Sequence, residues 1–200
     1  PAHMGAYANV YTHLAAGVMR DAGAVRVRPN AEVSLEEMAI LVREAGVEVE
    51  VLVHGKIPLG VTDRCFLLTE AEESDPKCPS ACGEVHWLTS RQWVLKTVGK
   101  GVLSGRDMCL LEHLPRLVAD GFRVFRVEGL YETAAYRSEI GAAYREALAR
   151  AFAGGEYALE DRWAAAARRH APRGLCNGYS FGTAGRTYVG TVLQDANSEV

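Results

Sequence analysis

The stretch Ser34 to Gly55, SLEEMAILVREAGVEVEVLVHG, decides the fold class. Ser34 with Glu37 three residues on is a capping box, whose hydroxyl and carboxylate satisfy the first free amides of a helix. Met38, Leu41 and Val42 then fall on one face, and the helix runs to about Gly46. Val47 to His54 alternates with a period of two, which predicts a strand that ends in a turn at Gly55. A capped helix followed at once by a strand is the rhythm of parallel α/β architecture.

The same rhythm extends outward. Val10, Leu14, Ala15, Val18 and Met19 recur at helical spacing and predict a helix from Ala8 that Gly23 stops, and Ala24 to Val27 is a short strand. Residues 56–106 interrupt the alternation with prolines, cysteines and the acidic run Glu70 to Asp75. It returns with a helix from Asp107 to Ala119, for which Asp107 is the N-cap, and a strand from Phe122 to Val127. Helices follow over Tyr131 to Ala153 and Glu160 to His170, then a glycine- and aromatic-rich extended tail. The division is an α/β domain over 1–170, interrupted by a cysteine-rich insertion at 56–106, and a tail over 171–200. A complete eightfold α/β barrel needs about 250 residues, so the sheet is either a small open one or the C-terminal part of something larger.

The chain has 200 residues, 48% of them hydrophobic, and a net charge of −3. That is an ordinary globular balance without the basic footprint of a typical nucleic-acid binder, although a local patch can hide beneath a near-neutral total. No apolar run approaches the length of a membrane span. With no secretory signal at the start, a cytoplasmic, reducing compartment is expected.

Five cysteines make an odd count that suits a disulfide framework poorly. Four of them, Cys65, Cys78, Cys82 and Cys109, are spaced C-x12-C-x3-C-x26-C. Four thiolates suit a soft metal centre. An iron–sulfur cluster ranks ahead of zinc because structural zinc sites favour two short knuckles, and only Cys78 to Cys82 forms one. Cys176 is the spare thiol.

Several of these segments together resemble the peptidase U32 (collagenase-like) family. They are Ala8-Asn9-Val10-Tyr11, Leu35-Glu36-Glu37-Met38, and Val53-His54-Gly55 followed by Asp63-Arg64-Cys65-Phe66-Leu67-Leu68. Further along come Gly105-Arg106-Asp107-Met108-Cys109, Arg126-Val127-Glu128-Gly129 with Tyr131 and Tyr136, and Arg173-Gly174 to Gly182. The resemblance implies the C-terminal part of a TIM-barrel-like domain. It also implies either peptidase activity or a 4Fe–4S cluster on Cys65, Cys78, Cys82 and Cys109. In the second case the reaction is oxygen-independent hydroxylation of an RNA base or of a ubiquinone precursor. The implied partners are a second family subunit or the N-terminal half of the barrel, with a small aromatic substrate or RNA. Two positions depart from the pattern: Pro58 stands where a further cysteine is common, and Leu130 where the family has arginine.

His54 and Glu128 each close a predicted strand, where parallel sheets carry active groups, and are the acid/base candidates. For Glu128 the competing role is a carboxylate favoured by the next helix N-terminus; for His54 it is a core or turn histidine. His86, His113 and His170 read as surface residues. Arg162, Arg168, Arg169 and Arg173 read as a solvated helix face and are the best phosphate contact here. No G-x-S-x-G or H-E-x-x-H motif is present, so a peptidase would have to pair Cys65 with His54. The third possibility is a scaffold whose metal, zinc, is structural.

Overall fold

The computed structural model describes residues 1–63, 65, 86–183 and 185–193. The chain divides into two compact units, residues 1–55 with 106–199, and residues 56–105.

The first unit is a parallel α/β layer. It contains β1 (Ala2–Met4), α1 (His13–Asp21), β2 (Ala24–Val27), α2 (Leu35–Glu44) and the first half of β3 (Glu48–Val61). After the second unit come the end of β6 (Gly101–Cys109), α3 (Leu114–Ala119), β7 (Val124–Val127), α4 (Ala134–Ala153), α5 (Asp161–His170) and β8 (Leu175–Cys176). β1 pairs with β2, β2 with β3 and β3 with β7, all parallel. β8 runs parallel to the end of β6, with Met108 opposite Cys176. Parallel neighbours with helical crossovers bury one sheet face beneath helices. Val49, Val51 and Val53 of β3 accordingly lie on that face, at most 4% exposed. Ile140, Tyr144 and Ala147 of α4 supply part of the covering layer.

The capping box forms as read: Ser34 Oγ accepts from Glu37 N–H, and the Glu37 carboxylate accepts from Ser34 N–H at 2.8 Å. Other expectations need correction. The first helix starts at His13, not Ala8, because Asn9 adopts φ 56° and Thr12 caps the helix by accepting from Ala15 N–H. Its apolar stripe points outward, with Leu14 71% and Val18 65% exposed, while Ala16 is the residue it buries. β3 does not turn at Gly55 but continues to Val61. Asp107 is no N-cap: Gly101 to Cys109 is strand, Asp107 is 1% exposed, and its N–H donates to Gly174 O. α4 begins at Ala134 rather than Tyr131, with Thr133 capping it by accepting from Tyr136 N–H. Beyond the short β8, the described tail residues form turns and bends up to Arg186 and then an irregular stretch over 187–190, not one continuous extended segment.

The second unit is antiparallel. The outer half of β3 neighbours β6, and β5 (Val94–Val98) lies between β6 and β4 (His86–Thr89). Trp87 stands opposite Lys96, and Lys96 opposite Leu103. Gly105 is required by packing, since a Cβ there would lie 2.0 Å from Val94 O.

Candidate active site at the strand ends of the parallel layer

Strands β3 and β7 end together. Their register runs from Glu50 opposite Val124 to His54 opposite Val127, with a bulge between Leu52 and His54. Glu128 N–H then donates to His54 O at 2.9 Å. This closeness depends on Gly55, whose φ is 110° and whose Cβ, were it present, would sit 2.5 Å from Glu128 O. Tyr136 of α4 secures the same carbonyl, its hydroxyl donating to Glu128 O at 3.0 Å.

His54 is fully buried and turns toward α4. Its ring lies 5.2 Å from that of Tyr144 and 5.9 Å from that of Tyr136. The Tyr144 hydroxyl ties the group together. It donates its single proton to Val53 O at 2.7 Å and accepts from Leu110 N–H at 3.2 Å. His54 Nδ1 lies 3.2 Å from that oxygen and must therefore carry a hydrogen and donate, which leaves Nε2 as the basic nitrogen of the neutral ring. Burial, with the neighbouring Cys109 second, raises Tyr144 well above the usual phenol range, so it stays protonated.

Cys109 shares this core, its Sγ 3.7 Å from the same hydroxyl and its side chain wholly buried. Burial pushes the thiol up to about 12. A nucleophilic cysteine needs the opposite, a depressed pKa or an adjacent base. Here the hydrogen-bond partner of the thiol is a phenol. Asn177 fixes the strand end from the other side, donating to Cys109 O at 2.9 Å and accepting from Val189 N–H.

Glu128 points away from this group. It alternates with Phe125, which meets Phe152 of α4, and shares a face with Arg126. On that face Glu128 is held by Arg126 at 2.7 Å, Arg126 lies 3.6 Å from Glu50, and Arg28 lies 3.9 Å from Glu50. Burial works to raise the Glu128 carboxyl, but hydrogen bonding to and the charge of Arg126 outweigh it and hold the group below its ordinary value. Arg28 is lowered, first by burial and then by Arg126. His54 and Glu128 thus meet through the backbone while their side chains occupy opposite faces of the sheet. Sequence reasoning missed Tyr144, Asn177 and the Arg28–Glu50–Arg126 chain. Tyr144 was within reach, being eight residues from Tyr136 on one helix face.

The remaining candidates are placed plainly. Cys78 and Cys82 lie outside the described residues. Cys65 is partly exposed in the second unit, and Cys109 is buried in the first. Among the described residues no three His, Cys, Asp or Glu side chains come together as a metal site. The fit to a soft metal therefore rests on the donor chemistry of the four thiols. His170, read as a surface residue, is tucked against Tyr136 and bonded to Glu139 at 3.1 Å. Arg162 and Arg169 are ion-paired with Glu146 and Glu139, and Arg168 bonds Val192 O, so these three act within the fold. A cleft of about 640 Å³ lined by Val25, Val42, Val47 and Phe122 opens at the amino ends of β2, β3 and β7. Parallel sheets keep their active groups at the other end.

A sequence profile of Peptidase family U32 matches residues 1–189. The chain belongs to Peptidase family U32. It is 30% identical over 112 residues to an uncharacterized protease of Methanocaldococcus jannaschii, covering 50% of this chain and 26% of that protein. It is 24% identical over 149 residues to the 23S rRNA 5-hydroxycytidine synthase of Escherichia coli, covering 73% of this chain and 23% of the synthase. To a collagenase of Porphyromonas gingivalis it is 23% identical over 141 residues, covering 68% and 39%. The U32 chain thus spans between a quarter and two-fifths of the length of these relatives. No solved structure gives a significant match.

Proposed function

We propose that this U32 chain is part of an iron–sulfur enzyme that hydroxylates an aromatic ring without molecular oxygen, with an RNA pyrimidine as the leading substrate class and a ubiquinone precursor as the other. The observation that carries the choice is the relationship to an rRNA hydroxycytidine synthase, which covers 73% of this chain and supports the RNA class. Cys109, sealed from solvent, pushed up to about 12 and bonded to a phenol, is not an activated nucleophile, which leaves Cys65 with His54 as the pair a peptidase would use.

In this reading Cys65, Cys78, Cys82 and Cys109 hold a 4Fe–4S cluster, and the parallel layer is the C-terminal part of a TIM-barrel-like domain. Such a cluster, when bound, supplies redox or electrophilic chemistry at the ring. Its thiol ligands lose their protons on binding, which is the cost that burial of Cys109 sets for an unloaded site. His54, held by Tyr144, presents Nε2 as a base. Glu128, kept ionised by Arg126, offers a carboxylate on the opposite sheet face. The completing N-terminal barrel segment or a second U32 subunit is the proposed partner.

Peptidase activity is the second reading, favoured by the names of two relatives. A scaffold with structural zinc is the third. Anaerobic purification separates all three. The hydroxylase is brown, absorbs near about 400 nm and contains iron with acid-labile sulfide. A colourless protein with stoichiometric zinc overturns it. Peptide cleavage that survives replacing Cys78 and Cys82 by Ser overturns it in favour of the peptidase.

A further inference from the structure

We infer that the β4–β5 hairpin of the second unit is a docking surface for single-stranded RNA. The inference deepens the RNA reading above by naming where the strand is held.

The observation begins with charge. The chain averages one carboxylate in every eight residues and totals −3. Yet from Val85 to Gly105 no Asp or Glu occurs, while Arg91, Lys96 and Lys100 do. Aromatic residues sit among these cations: Trp87 is 37% and Trp93 43% exposed. Both indoles keep part of their apolar surface in contact with water, Trp93 the more so.

The geometry presents these groups firmly. At the hairpin tip Ser90 Oγ accepts from both Gln92 N–H and Trp93 N–H at 3.1 Å, and Ser90 N–H donates to Trp93 O at 2.8 Å. This closed turn holds Arg91 and Trp93 outward on a fixed backbone, so little side-chain order remains to be lost on binding. At the far end of β5, Gly99 with φ 56° makes the turn that exposes Lys100. On the sheet itself the Lys56 ammonium lies 5.9 Å from the Trp87 ring centroid, anchored on Gly105 O at 2.9 Å. Lys56 and Lys96 are buried and brace the sheet, so the groups offered to solvent are Trp93 beside Arg91 at the tip and Lys100 at the other end of β5, and these match the needs of a single strand. Its bases stack on aromatic faces and its phosphates are drawn to the cations. An acidic protein segment would use the cations but has no use for the exposed indole faces.

The test uses the full chain, stripped of metal by chelation, and a fluorescein-labelled mixed-sequence RNA of about 15 nucleotides. Polarisation is read between about 50 and 200 mM salt. Trp93→Ala should weaken binding at least about tenfold, consistent with the loss of one stacked base. Trp93→Phe, which keeps a ring in place, should recover most of it. Arg91→Ala and Lys100→Ala should each lower the slope of log affinity against log salt by about 0.7. Affinity that stays within twofold in Trp93→Ala overturns the inference. So does polyglutamate competing as well as RNA, which would mark a protein partner. Because no chemistry is measured, the two readings fail separately. An RNA-binding chain that never holds iron sinks only the enzyme. A cluster-bearing hydroxylase whose RNA affinity ignores Trp93 sinks only the docking surface.

Discussion

Gly55 and Glu128 approach so closely that a side chain on the first would occupy the carbonyl oxygen of the second, at 2.5 Å. The same glycine adopts φ 110°, a conformation L side chains rarely take. Gly55→Ala should therefore cost about 3 kcal/mol, combining backbone strain with displacement of the β7 end. Urea unfolding checks this. A loss below about 1 kcal/mol would show that the two strand ends are not tightly held.

Tyr144 and Tyr136 lie on one helix but should respond differently to loss of the hydroxyl. Tyr136→Phe removes one bond to Glu128 O, worth about 1 kcal/mol. Tyr144→Phe removes three hydrogen bonds in the core, those to Val53 O, from Leu110 N–H and with His54 Nδ1, although Leu110 N–H and Val53 O keep each other at 2.9 Å. A net hydrogen bond is worth about 1 kcal/mol, so Tyr144→Phe should be the more damaging by thermal or chemical unfolding. Equal losses would contradict the central place given to that hydroxyl.

Glu128 sets an acid dependence. Its carboxyl titrates lower in the folded chain, because Arg126 outweighs the effect of burial. Its contribution to stability is then complete above the unfolded value of about 4.3 and is lost as pH falls through the lower folded value. Glu128→Gln should flatten stability against pH in that window and leave the slope above pH about 5 unchanged. An identical acid profile in the variant would remove Glu128 from the ion chain.

Thiol labelling of the reduced, metal-free protein should follow burial. Cys109 and Cys176 are both fully buried, whereas Cys65 is partly exposed. Maleimide should modify Cys65 at once and reach Cys109 and Cys176 only on unfolding, as read by mass spectrometry. Rapid native labelling of Cys109 would show that its side chain is not sealed in the core.

How far the residues announce this structure depends on the range of the forces involved. The Ser34–Glu37 box, β2 and the two late helices are local matters of capping and periodicity, and they form within a few residues of where the pattern puts them. Asp107 looked like a helix start because aspartate favours caps. It is instead strand, since its pairing partner, Leu175, lies far along the chain. The spacing in α1 announced a helix but not which of its residues are covered: Leu14 and Val18 face outward while Ala16 is buried. At the site, His54 and Glu128 were legible as strand ends. Their separation onto opposite sheet faces follows from the bulge beside His54, which a regular alternation does not reveal. Tyr144 and Asn177 acquire their roles only through Val53, Leu110 and Cys109, contacts made after the chain has closed.

Glu112 accepts from the amides of Thr191, Val192 and Leu193, across about eighty intervening positions. During synthesis those amides emerge about eighty residues after the carboxylate that receives them. The latch therefore closes only once both segments have been made, and it ties the late segment back onto one folded much earlier.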